Sequence, residues 1–286
     1  MKTRLILLIR SICGLIIKSL IDLFFVFKIS PGKLDDSSDV IISLTSYGRR
    51  VPKAVPYTIY SIFLQKKKPS KIILWLDDIN WNEDNLPAKL RFLKQHGLEI
   101  RFCKDIRSYK KLIYTLPLYP SKSIITIDDD ILYERSFVKE LVRLHEQHPC
   151  QVISLRYHKP KWDKEGYSLL PYKVWSKAKE AKATKNYMPT GVGGVLYPPG
   201  SFNDEVMNEQ VFTKLCPLAD DVWFWAMEIL NDTKVFCVKK MMYYPFDFFY
   251  QEFHRGASLY DSNVTYSEND NQIKAVLDYY NLWNKM

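Results

Sequence analysis

The stretch Ile124-Ile125-Thr126-Ile127-Asp128-Asp129-Asp130 constrains this chain more than any other. Its short, β-branched apolar run reads as a strand buried on both faces, of the kind found in sheets covered by helices. The run ends in three adjacent carboxylates, which repel one another unless a cation or a proton offsets them. Hard divalent cations take carboxylate oxygens and leave positions for substrate phosphates. In open α/β sheets, ligands bind beyond the carboxyl ends of the strands, where these residues fall. The other reading of the triplet is an acidic turn that caps a helix, since Asp is favoured there.

At 286 residues the chain can form one large α/β domain or two smaller ones. A composition 47% hydrophobic and 14% aromatic supports a substantial core and excludes general disorder. The formal charge of +9 suits anionic partners: nucleic acid, an anionic membrane surface or phosphorylated substrates. Cys13, Cys103, Cys150, Cys216 and Cys237 are scattered, with no CxxC pair. They suggest neither a zinc site nor a disulfide framework, and reduced thiols are expected.

Residues 4–29 are apolar but interrupted by Arg10, Lys18 and Asp22, so no charge-free run reaches the ~18 residues of a simple spanning helix. On a helical wheel Arg4, Arg10, Lys18, Asp22 and Lys28 share one arc of about 120°. This predicts a helix lying in a membrane interface, its apolar face in the acyl region and its basic residues at the headgroups. A tilted spanning helix and a partner-binding helix are the alternatives. Pro31-Gly32 and the polar run Asp35–Ser38 read as a linker, which divides the chain into a membrane-associating segment, 1–34, and a catalytic domain, 35–286.

Beyond the linker, strand-like and helix-like segments alternate. Strands are predicted at Val40–Thr45, Lys71–Leu76, Leu98–Phe102, Ile124–Ile127 and Gln151–Leu155. Helices are predicted at Thr58–Gln65, 86–96, Tyr109–Leu116 and Phe137–His148. The alternation argues for an α/β fold with a central, mostly parallel sheet flanked by helices. Residues 156–187 interleave eight lysines with Trp162, Tyr167, Tyr172 and Trp175. This segment is either a solvated surface or a patch for single-stranded nucleic acid, a membrane or a glycan.

Three further stretches carry potential chemistry. Pro189–Val195 contains Gly191, Gly193 and Gly194 and leads into an apolar strand; glycines there allow a tight turn or a close backbone approach to a ligand. It does not match a phosphate-binding GxxxxGK[ST] loop. Asp220-Asp221 precedes an aromatic helical stretch, either as a helix cap or as a general base facing the same cleft. His254, beside Arg255 and Gly256, is either a metal ligand or a structural imidazole.

In this order the elements resemble nucleotide-sugar-dependent glycosyltransferases of the GT-A fold, of the bacterial envelope or capsule type, over roughly residues 40–260. Asp128-Asp129-Asp130 looks like that family's DxD motif. The resemblance implies a single GT-A-like domain after the N-terminal amphipathic helix, and a hexosyltransferase-type activity. It implies Mn²⁺ or Mg²⁺ on Asp128 and Asp130, completed by His254. Thr45, Tyr47, Arg49, Asp77, Asp78 and Asp129 would lie near the nucleotide, and Gly193 and Gly194 near the donor sugar and acceptor. Asp221, or else Asp220, would be the base, although the family's commoner pair is Glu-Asp. The partners implied are a nucleoside-diphosphate sugar, with UDP the default, and a glycan or lipid-linked acceptor, with no nucleic acid. The location implied is the cytoplasmic face of a membrane. The competing readings are a nucleotidyltransferase or other metal-dependent phosphoryl enzyme, and a non-catalytic membrane-associated binding protein.

Overall fold

The computed structural model describes residues 2–166, 168–175, 181–245 and 268–286. The helices are α1 (Lys2–Val26), α2 (Arg50–Lys53), α3 (Val55–Phe63), α4 (Ala88–Lys94), α5 (Lys110–Ile113), α6 (Phe137–Gln147), α7 (Glu209–Leu215), α8 (Asp220–Leu230) and α9 (Glu268–Tyr279). The strands are β1 (Val40–Thr45), β2 (Lys71–Asp77), β3 (Leu98–Cys103), β4 (Ser123–Thr126), β5 (Ile131–Tyr133), β6 (Val152–Ser154), β7 (Tyr157–His158), β8 (Lys182–Thr184), β9 (Met188–Pro189), β10 (Val195–Tyr197), β11 (Val235–Cys237) and β12 (Tyr243–Pro245).

Eight strands form the central sheet in the order β3-β2-β1-β4-β10-β6-β11-β8. β1, β2 and β4 are the buried apolar runs of strands covered on both faces, while the edge strand β3 alternates Leu98 and Ile100 with Glu99 and Arg101. All four strands are mutually parallel. Their carboxyl ends therefore share one edge, which carries the loop after Thr45, the Asp77-Asp78 turn and the acid triplet. The sequence pattern did not reveal that β10 enters antiparallel between β4 and β6. The glycine turn delivers the chain to β10 at this same edge, so the strand can only run away from it. Val195 consequently pairs with Thr126, and the turn lies beside the triplet.

The apolar core occupies both faces of the sheet. One cluster packs α3, α4 and α6 against β1, β2 and β4; another packs α5 and α8 against β10 and β11. The aromatic residues of the lysine-rich segment mostly turn inward. Trp175 is buried against Trp225, and Tyr157 stacks on Tyr187 at 5.1 Å. Trp162 and Tyr172 are half-buried. Tyr167, Lys177 and Lys179 lie outside the described residues.

The N-terminal helix packs on the domain through its polar side and leaves an apolar stripe outward. Its charged residues Arg10, Lys18 and Asp22 meet the domain or one another. Arg10 pairs with Glu134 and donates to the carbonyls of Tyr243 (3.2 Å) and Met241 (3.3 Å). Asp22 meets Lys18, Lys89 and Tyr57. Ser11 and Ile21 are buried, and Phe25 packs edge-on against Tyr57, Tyr60 and Phe92. The outward stripe contains Ile9, Ile12, Ile16, Leu20 and Leu23, all exposed, with Ile16 57% accessible. The physical reason is satisfaction: Arg10 and Asp22 find partners on the domain. Among the described residues no helix is long and apolar enough to cross a membrane.

Glu228, midway along α8, is fully buried, and neither carboxyl oxygen has a hydrogen-bond partner among the described residues. Burial, reinforced by the nearby Asp221 charge, pushes its carboxyl well above 4.5. The folded state therefore keeps a proton that the unfolded chain releases above pH 4.5, so this group's contribution to stability is lost as pH rises past that value. Glu228→Gln should stabilise the protein at pH 7 by about 1–3 kcal/mol. In urea titrations its advantage should grow from pH 4.5 to pH 8; a pH-independent difference would contradict the neutral buried acid.

Candidate active site

The acid triplet is not a helix cap: β5 follows it directly, and α6 begins only at Phe137. α3 fixes its backbone, because the Thr58 hydroxyl donates to the carbonyls of Asp129 (3.0 Å) and Ile131 (2.7 Å). The Asp128 N–H donates to the Tyr133 hydroxyl at 3.1 Å. β12 pairs with β5 antiparallel, which ties this region to the part of the molecule that Arg10 clamps.

Each carboxylate of the triplet meets a basic side chain. The Arg50 guanidinium lies 2.9 Å from Asp129 and 3.0 Å from Asp130, and Ser46 donates to the other oxygen of Asp129. Burial opposes the Arg50 charge, but Asp130 and Asp129 outweigh it and hold the guanidinium above its usual range. On the other side, the Lys111 ammonium lies 3.6 Å from Asp128 and 3.0 Å from Asp220. Burial again disfavours this charge, and Asp220, Asp128 and Asp221 together overcome it. Burial also raises the Asp128 carboxyl, against the pull of Lys111.

The acidic pair at the start of α8 is likewise not a simple cap, since Ala219 occupies the N-cap position. Asp220 accepts from the Ser108 hydroxyl at 2.8 Å and pairs with Lys111. Asp221 accepts from the Gly191 N–H at 3.3 Å. Burial first, and then the adjacent Asp220 charge, push the Asp221 carboxyl up to about 7. Asp220 is locked in an ion pair, while Asp221 is poised to exchange a proton near neutrality.

The glycine turn is shaped by close approach. A Cβ on Gly191 would fall 2.7 Å from Asp128 and 3.0 Å from the Lys111 ammonium. Gly194 has φ +76°, a left-handed backbone, and abuts the Phe137 ring. Gly193 packs directly on the Arg156 backbone.

The structure thus gathers Asp128, Asp129, Asp130, Asp220, Asp221 and the glycine turn at one sheet edge. Thr45 donates to the Trp75 carbonyl at 2.9 Å, and Tyr47 is half-exposed at the rim. Asp77 is buried and closes a turn by accepting from the Asn80 backbone (2.8 Å) and side chain (2.7 Å), while Asp78 is exposed. Of the adjacent arginines, Arg50 reaches the triplet and Arg49 stays exposed. His254 lies outside the described residues. Sequence reasoning missed Arg50, Ser46, Tyr133 and Lys111. The signal for Lys111 was weak: two lysines, 110 and 111, side by side in a short helix that is otherwise mostly apolar.

Among the described residues no three His, Cys, Asp or Glu side chains converge to cage a metal. The site nonetheless sets five carboxylates against two basic side chains, an excess that would repel a diphosphate unless a further cation intervened. Mg²⁺ and Mn²⁺ are suited to one or two carboxylates plus phosphate and water oxygens. The donor set fits such an open site and does not fit a dedicated cage.

No family model matches the chain, and no curated protein matches it. Two solved structures of S. aureus TarS residues 1–349 are similar to it, one in complex with UDP. They are 12% and 15% identical, with TM-scores of 0.46 and 0.45, and in each case 72% of this chain is covered. The chain spans 59% of the length of those structures. A likeness of this size fixes neither a family nor a chemistry.

Proposed function

We propose that the chain is a metal-dependent, GT-A-like glycosyltransferase of hexosyltransferase type. It moves a sugar from a nucleoside-diphosphate sugar, UDP by default, to a glycan or lipid-linked acceptor. The observation that carries this reading is the convergence of the acid triplet, the glycine turn and the Asp220-Asp221 pair at the carboxyl edge of a mostly parallel sheet.

In this reading Asp128 and Asp130 would hold Mn²⁺ or Mg²⁺. When bound, the cation supplies positive charge where the departing diphosphate gains negative charge. The chain's own residues do the rest. Gly191 orients Asp221 through its N–H, and Lys111 with Ser108 immobilises Asp220. Asp221, raised to about 7, accepts the proton of the acceptor hydroxyl. That oxygen bonds to the anomeric carbon as the bond from carbon to the diphosphate oxygen breaks.

The outward apolar stripe of α1 supports a membrane surface as partner, at the cytoplasmic face where sugar nucleotides are available. Because Arg10 and Lys18 are engaged by carboxylates, attraction to anionic lipid draws on the other basic residues of this chain of net charge +9.

Calorimetry with UDP and Mn²⁺ tests the donor site: Asp128→Ala and Asp130→Ala should abolish Mn²⁺-dependent binding while circular dichroism stays native. Unchanged affinity in both variants would refute the assignment. Asp221→Asn should lower turnover by ~10²–10⁴-fold with UDP affinity nearly kept. A product that retains the donor's anomeric configuration would remove the general-base role. For the anchor, Ile12, Ile16 and Leu20 replaced together by Gln should prevent sedimentation with phosphatidylglycerol-containing vesicles without lowering Tm. Vesicle binding equal to wild type would eliminate α1 as the membrane contact.

A further inference from the structure

We infer that Lys111 is a positioning residue for transfer: its buried ammonium ties the acid triplet to the acidic pair, holding donor-side and acceptor-side carboxylates in one frame. This rests on the glycosyltransferase reading above.

The triplet loop and the start of α8 belong to separate parts of the sheet. Among the described residues no backbone hydrogen bond joins them. Lys111 spans that gap, 3.6 Å from Asp128 and 3.0 Å from Asp220, with its side chain only 7% exposed. The glycine turn closes over the same point, since a Cβ on Gly191 would meet both the Asp128 carboxylate and the Lys111 ammonium. Gly191 in turn holds Asp221 through its N–H. One ammonium and one missing side chain therefore connect three segments on which binding and proton transfer depend.

The lysine is itself firmly placed. The Lys111 carbonyl accepts from Ser43 of β1 and from Thr115 (3.0 Å), and Thr115 accepts from the Trp75 indole of β2 at 2.8 Å. Those bonds anchor α5 on the central strands, so the ammonium is fixed relative to the sheet. Without its charge Asp128 keeps its tie to Tyr133 and its place at the donor, while Asp220, repelled across a buried gap, shifts and carries the acidic pair away. An ordinary structural lysine would change stability alone. A positioning lysine separates nucleotide binding from transfer.

Lys111→Met keeps the apolar stem and removes the charge, whereas Gly191→Ala disturbs the same junction from the opposite side. UDP release would be followed from UDP-glucose, UDP-galactose and UDP-N-acetylglucosamine with Mn²⁺, with and without lipid extract of the source cells. UDP affinity would be measured by calorimetry and Tm by circular dichroism. Each variant should lose about 100-fold of the extract-dependent UDP release while UDP affinity stays within about fivefold. The double variant should be no slower than the slower single one, because both act on one junction. Extract-dependent release within threefold of wild type in Lys111→Met, or losses that multiply in the double variant, would overturn the inference and leave the glycosyltransferase reading standing. Should a Tm drop accompany Lys111→Met, Gly191→Ala with native Tm and full release would overturn it equally. Wild-type protein that releases no UDP from any of these donors would remove both.

Discussion

Two basic side chains hold this molecule's acid cluster together. Five carboxylates crowd one edge of a sheet, and in an interior shielded from water their repulsion would push the strands' carboxyl ends apart. Arg50 draws Asp129 and Asp130 toward α2, and Lys111 draws Asp128 and Asp220 toward α5. Neither cation neutralises the cluster completely. The remainder leaves the cluster electronegative and Asp221 raised to about 7. Packing, electrostatics and proposed chemistry meet in that incomplete compensation.

The N-terminal helix applies the same logic at the surface. A few charges on an apolar helix could face water or find partners on the protein. Arg10 finds a carboxylate and two carbonyls, while Asp22 finds two lysines and a tyrosine. The helix thus behaves as part of the domain, and its apolar stripe is left outward. Arg10 also grips the carbonyl of Tyr243 at the start of β12, the strand paired with β5 directly behind the triplet. The proposed membrane contact and the proposed catalytic centre are therefore joined through one two-stranded ribbon.

Much of the architecture was legible in the chain because it is local. β1 at Val40–Thr45 follows the predicted span, and β2, β3, β4 and α6 differ from theirs by a residue or so, since uninterrupted β-branched runs and helical periodicity are short-range properties. Asp220 opening a helix was equally readable. The antiparallel β10 was not, because direction depends on where a preceding turn delivers the chain. The choice of Arg50 over Arg49 was not legible either: the two are adjacent in sequence and differ only in which side of a helix start they occupy.

The sequence by itself determined most strands and α6, the kinds of group available for chemistry and the apolar character of the first helix. Each follows from residue type and spacing over a few positions. The helix expected at Tyr109–Leu116, however, is only Lys110–Ile113, and that at Thr58–Gln65 runs Val55–Phe63. Only tertiary structure decided which cation meets which carboxylate, which member of the acidic pair is locked, and which face of α1 looks outward. Those outcomes join residues far apart in the chain, 79 positions for Arg50 and Asp129, 112 for Ser108 and Asp220, and 233 for Arg10 and Tyr243. Charges pair with the partners that folding brings within a few ångströms, and neighbouring residues carry no record of that distance.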